Sequence, residues 1–231
     1  MEDPDHCRNS TWILASAAAR SCAALLLGSA VFLSSCTSPG DQAGGDSERR
    51  ATDSAETAPP SADTLYYLGR VLAGQGKDDE AITVFTNTIS RHPEYLAAYV
   101  DLAEIYVRQR RFADAEALLV QGLEVDARSG VLWNNLGMVR MFRQNDEGAK
   151  EAFAKAVAAA PREERYAANL ALATGLLGQY DEAFVLFEQI LGPEGAHHNL
   201  AVIAESRGDT ERAAAERTAA AALAAKKPAP R

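Results

Sequence analysis

Beyond position 36 this chain of 231 residues has no cysteine, because Cys7, Cys22 and Cys36 are its only three. The rest of the protein can hold no internal disulfide, no zinc–thiolate centre and no cysteine nucleophile. Histidine is almost as scarce. His6, His92, His197 and His198 form no i, i+4 ligand pair, and the adjacent His197 and His198 point in different directions on a helix. No phosphate-binding glycine loop, GxSxG elbow, HExxH motif or acidic metal triplet is present. The carboxylate runs Asp78-Asp79-Glu80 and Asp181-Glu182 fall at helix starts, where the helix dipole stabilises them by about 0.3 to 1 kcal/mol each. These absences predict a non-enzyme with no cofactor, no metal and no small-molecule substrate. A basic stripe is also missing, and the formal charge of -9 argues against a nucleic-acid partner.

Long apolar runs are rare as well. The one in SCAALLLGSAVFLSSC, after Arg20, covers about a dozen residues, short of the roughly 20 that a spanning helix needs. It reads as a secretory signal over residues 1–35. Its ending, Leu33-Ser34-Ser35-Cys36, resembles the lipobox of bacterial lipoproteins, in which the cysteine is acylated on sulfur and becomes the first residue after cleavage. Against that pattern, Glu2, Asp3 and Asp5 are acidic where a signal is normally positive, and the stretch before Arg20 is long. The resemblance implies lipidation at Cys36, and two or three acyl chains at about 0.8 kcal/mol per buried CH₂ anchor a protein stably. Thr37, where an Asp would signal inner-membrane retention, implies the outer membrane, facing the periplasm. Residues 36–61 follow, rich in Pro, Gly, Ser, Thr and acids without an apolar period, and are expected to form a disordered tether.

What the chain does have is a repeat. Ala81, Ala115, Ala149 and Ala183 recur at one constant interval. Thirteen residues before each stand Leu68, Leu102, Leu136 and Leu170, followed by Gly69, Ala103, Gly137 and Ala171. Four residues after each stand Phe85, Leu119, Phe153 and Phe187. A fixed period of about 34 residues marks a helix-turn-helix unit that stacks on copies of itself. The small residues at the eighth position are expected to let the two helices of a unit approach to roughly 8 to 10 Å against the anchor alanines. Gly76 and Gly178 suit the turns between them, and Pro93 and Pro161 close second helices.

The array therefore predicts an all-α protein, a solenoid of about five units over 62–225, followed by a disordered tail at 226–231. Unit borders fall near 62–95, 96–129, 130–163, 164–193 and 194–225. The fourth unit breaks at Gly192-Pro193, and the last is short, since the next anchor, Ala213, comes before Arg217, where the constant interval would place it. Its second helix has little larger than Ala and is laced with Glu211, Arg212, Glu216 and Arg217, which suits a solvated cap.

Leu65, Leu68, Gly69, Leu72, Ala81, Phe85 and Pro93, and again Trp133, Leu136, Gly137, Ala149, Phe153 and Pro161, resemble the tetratricopeptide repeat. That resemblance implies a right-handed superhelix whose first helices line a concave groove that holds a protein partner. By position the groove would show Tyr66 and Arg70 from the first unit, and Val100, Glu104 and Arg108 from the second. Asn134, Met138, Met141 and Phe142 would follow from the third. Asn169, Leu172, His198 and Val202 would complete it. The apolar middle, Met138 to Phe142, is expected to supply adaptable anchors or, alternatively, to pack against the next repeat. With the lipoprotein layout, the chain resembles the outer-membrane tetratricopeptide lipoproteins that assist assembly of tight-adherence (Flp) pili, type IV pili and secretion systems. An envelope-biogenesis adaptor and an accessory subunit of a periplasmic hydrolase are the alternatives.

Overall fold

The computed structural model describes residues 60–226. The signal segment, the lipobox with Cys36, nearly all of the tether and the last five residues lie outside them. Among the described residues there are nine helices and no strand: α1 (Ala62–Gly74), α2 (Asp78–Arg91), α3 (Leu96–Arg108), α4 (Phe112–Val125), α5 (Gly130–Phe142), α6 (Asp146–Ala159), α7 (Glu164–Leu176), α8 (Tyr180–Ser206) and α9 (Thr210–Ala224). None of these is long and apolar enough to cross a membrane.

Local signals explain where the helices begin and stop. The side chains of Ser61, Ser129, Asn145 and Asp209 accept hydrogen bonds from backbone N–H groups in the first turns of α1, α5, α6 and α9. Each unit then turns through one residue in the left-handed region. Gly76, Gly178 and Gly208 take it without penalty, whereas Arg110 and Gln144 adopt it at φ 58° and 60° despite their side chains.

The shortened register has a specific origin. Four residues connect α2 to α3, α4 to α5 and α6 to α7, but at the next junction only Gly192 interrupts α8, at φ 72° and ψ 173°, a conformation open essentially to glycine. Pro193 starts the new helix directly. α8 is thus the second helix of the fourth unit and the first helix of the fifth, joined with almost no loop.

Packing runs from neighbour to neighbour, as a stacked array requires. The anchors Ala81, Ala115, Ala149 and Ala183 are fully buried, together with Phe85, Leu119 and Phe153. The small eighth position meets a different partner from the one expected. A Cβ on Gly69 would stand 2.6 Å from the Phe85 ring, and one on Gly137 would stand 2.5 Å from the Phe153 ring. The glycines make room for the rings, not for the anchor alanines. An anchor lies farther along the first helix, where a Cβ on Gly175 would come within 3.6 Å of Ala183.

The last helix also departs from expectation. Glu216, read from sequence as part of a solvated face, is only 4% exposed. Its carboxylate meets His197 Nδ1 at 2.6 Å and accepts from Arg212 Nε at 2.6 Å. Arg212 in turn lies over the Tyr180 ring and reaches Asp181. Because α9 carries few large apolar side chains, this polar knot helps fasten it to α8, and a buried carboxylate is tolerable there because both oxygens are paired.

Candidate binding groove

The first helices of successive units touch one another: α1 meets α3, α3 meets α5, and α5 meets α7, with no comparably extensive contact between second helices. The array therefore bends toward its first helices, which form a continuous inner face. On this face stand the residues singled out from the sequence, and they fall into three groups.

The first group is polar and aromatic. The Tyr66 ring lies 5.0 Å from that of Tyr95, and the Arg70 guanidinium sits 5.8 Å from the Tyr66 centroid. Arg70 Nε also faces Asp101 Oδ2 at 3.8 Å, with the Tyr66 phenol beside the same carboxylate. Burial pushes the Tyr66 phenol far up, and the adjacent Asp101 charge adds to the rise. Burial likewise pushes Asp101 up, with Tyr66 and Arg70 only partly offsetting it. Tyr95 is raised to about 12, by burial and by its hydrogen bond of 2.9 Å to Asp63. Glu104 and Arg108 lie beside this cluster; Arg108 binds Asp78 at 2.6 Å and faces Glu104 at 3.7 Å, tying α3 to the start of α2.

The second group contradicts the expected apolar groove. Met141 and Leu172 are each 6% exposed and belong to the core. Asn134 and Asn169 are buried as well, and Asn169 Nδ2 donates to Asn134 Oδ1 at 2.8 Å, bridging α5 and α7. Phe142 is stacked on Phe112 at 5.6 Å, near the unit edge, and Met138 is half-buried against the second core cluster. Val100 is half-buried against the first. The physical reason is packing within and between units, which gathers Met141 and Leu172 into one core cluster with first and second helices alike. It closes over side chains that an isolated helix would present, so the middle of the inner face has little free apolar area.

The third group, His198 and Val202 on the second half of α8, is exposed. At the α1 end the inner face offers charged and hydrogen-bonding groups, Arg70, Asp101, Glu104 and Arg108, more than apolar ones. Asp101 and Tyr95 were missed in the sequence. The available signal was an acid in the middle of LAAYVDLAEIYVR, one residue after Val100, at the place where the fourth unit has Asn169. Chemically this surface can orient a chain by donors, acceptors and two opposed charges, while the described residues contain no group of three or more His, Cys, Asp or Glu side chains able to hold a metal.

Paired helices, bending toward their first members and stacked at one constant sequence interval, define an all-α superhelical repeat fold. Residues 72–136 and 131–163 match models described as tetratricopeptide repeat, and the described body is a tetratricopeptide solenoid. Among curated proteins, human tetratricopeptide repeat protein 7B is 29% identical over 105 residues, covering 46% of this chain and 12% of that protein. Human protein O-mannosyl-transferase TMTC3 is 24% identical over 120 residues, covering 51% of this chain and 13% of that protein. The chain thus spans about an eighth of the length of these relatives. Among solved structures, a tetratricopeptide repeat protein from Parabacteroides merdae superposes with TM-score 0.59 at 20% identity, covering 75% of this chain and 69% of that one. MamA does so with TM-score 0.57 at 18% identity, covering 69% and 89%. YrrB, described as having an unusual peptide-binding site, gives 0.55 at 19%, covering 69% and 84%.

Proposed function

We propose that this chain is a non-catalytic scaffold, held at the bacterial outer membrane through Cys36, that captures an extended segment of a protein partner along its inner face. The observation that carries the reading is the Tyr66–Arg70–Asp101 cluster. A carboxylate kept half-buried, with its proton affinity raised by burial, is costly to the fold, and such costs concentrate at sites that bind. The cluster shows an incoming chain a cation, an acid and an aromatic face on two neighbouring first helices, α1 and α3. Orientation and choice of partner follow from these charges more than affinity does. YrrB, described as a peptide-binding protein of this fold, supports the class of ligand. The lipoprotein ending and the tether support a role in assembling pili or a secretion system.

Crosslinking in membranes, followed by capture and mass spectrometry, tests the reading. Arg70→Glu combined with Asp101→Asn is expected to lose the captured partner while keeping the helical content. Glu188→Lys, on an exposed second-helix site, is expected to keep it. Loss with Glu188→Lys and retention with the groove pair would reverse the assignment. Labelling with a fatty-acid analogue tests the anchor separately: the wild type should be marked and Cys36→Ser should not.

A further inference from the structure

The end of the array formed by α1 carries a stripe that no later unit leaves open. Thr64, Leu68 and Val71 stand at i, i+4 and i+7, on one side of the helix. One period on, these positions are Ala98, Leu102 and Ile105, and two periods on they are Leu132, Leu136 and Val139, all at most 2% exposed. Leu68 is instead 47% exposed, Val71 56% and the neighbouring Tyr67 60%. In later units the stripe faces the preceding unit's second helix, as Val120 and Leu123 of α4 line one pocket with Leu136 of α5. Among the described residues, only Pro60 and Ser61 precede α1.

Two occupants from this chain fit poorly. Residues 37–60 contain no Leu, Ile, Val, Met, Phe, Tyr or Trp, so they bring no apolar side chain larger than Ala or Pro to such a face. The far end of the array fits no better. Where α4 has Leu119, Val120 and Leu123, α9 has Arg217, Thr218 and Ala221, with Arg217 paired to Glu205. Stacking α9 of one copy on α1 of the next would set an apolar stripe against a polar helix.

We infer that the exposed stripe of α1 pairs with the same stripe of a second copy, giving a two-fold homodimer. The contact is self-complementary, since both sides bring Leu68, Val71 and Tyr67, and a two-fold axis closes it without leaving a sticky end. Charge does not oppose it locally despite the net -9. The only charged side chains of α1 are Asp63, which accepts from Tyr95, and Arg70, which faces Asp101. Three large side chains per copy make a contact smaller than the roughly 800 Å² per partner of a standard interface, so the dimer is reversible.

Photocrosslinking in cells captures such a pair. Two differently tagged full-length copies are expressed together, with a benzoylphenylalanine in place of Tyr67 or, separately, of Ala221. The result expected is an adduct containing both tags from position 67 and none from 221, lost when Val71→Glu or Thr64→Arg is added while helical content is unchanged. Adducts containing both tags from 67 and 221 alike would mean head-to-tail stacking. An adduct from 67 to another protein alone would mean a foreign partner, and one mapping to residues 1–59 of the same copy would mean self-coverage. Each of these, no adduct at all, or an adduct that survives both substitutions overturns the dimer.

Discussion

Replacing Gly137 by alanine adds one methyl group where the central unit has no room for it. The new Cβ would stand 2.5, 2.6 and 2.8 Å from three atoms of the Phe153 ring, where ordinary contacts begin at 3.4 Å. Phe153 is fully buried, so α5 and α6 must separate by nearly an ångström or the ring must leave its rotamer. Overpacking of this kind costs about 1 to 3 kcal/mol. Against it, alanine is a better helix residue than glycine by up to about 1 kcal/mol. Gly74→Ala isolates that second effect, since a Cβ there meets nothing within 4 Å. Two units carry alanine at this place, the second with Leu119 opposite Ala103 and the fourth with Phe187 opposite Ala171, so the clash is relieved either by a smaller partner or by a displaced ring. Gly137→Ala with Phe153→Leu should therefore be more stable than the separate losses predict, by about 1 to 2 kcal/mol of coupling. Urea midpoints by circular dichroism read the total. Amide exchange in α5 and α6 locates it, because stability in a stacked array is partly local. Gly137→Ala as stable as Gly74→Ala, or strict additivity in the double variant, would refute the reasoning.

Three further outcomes follow from the same geometry. Gln144→Gly removes a side chain from the left-handed region and should stabilise by about 0.5 to 1 kcal/mol, while Gly76→Ala, with no clash to confuse it, should destabilise by about 1 kcal/mol, both read from thermal midpoints. Glu116 is held below its ordinary 4.5 because hydrogen bonds from Arg140 and Arg143, with their charges, together outweigh burial, the largest single effect and an opposing one. Its contribution is complete above the unfolded-state value and is lost as pH falls through the lower folded value. Glu116→Gln should thus cost about 2 kcal/mol at pH 7 and clearly less near pH 3, by urea midpoints at the two pH values. Ala149→Leu, at a fully buried anchor, should cost about 1 to 3 kcal/mol; an unchanged melting temperature would show that the anchor does not sit at a close contact.

The repeat itself was legible because a stacked array imposes the same contacts in every unit, so helix pairing, turns and the buried face recur as spacing in the one-dimensional chain. Gly192-Pro193 was legible as a break for the same reason, through backbone chemistry confined to two residues. What lies between units was not. Met141 and Leu172 look like groove residues on their own helices, and only their gathering into one core cluster with helices of adjoining units encloses them. Asn134 and Asn169, far apart in sequence, become one hydrogen-bonded pair only once α5 and α7 are side by side. Glu216 reads as a solvated charge until the turn at Gly208 folds α9 back against His197. Asp101 gains its raised proton affinity from burial that no window of sequence reports. Periodicity therefore determined which residues belong to a unit, since that depends on contacts within one helix pair. Exposure, pairing and the chemistry of the inner face depend on curvature and on contacts between units, and these the tertiary structure alone decided.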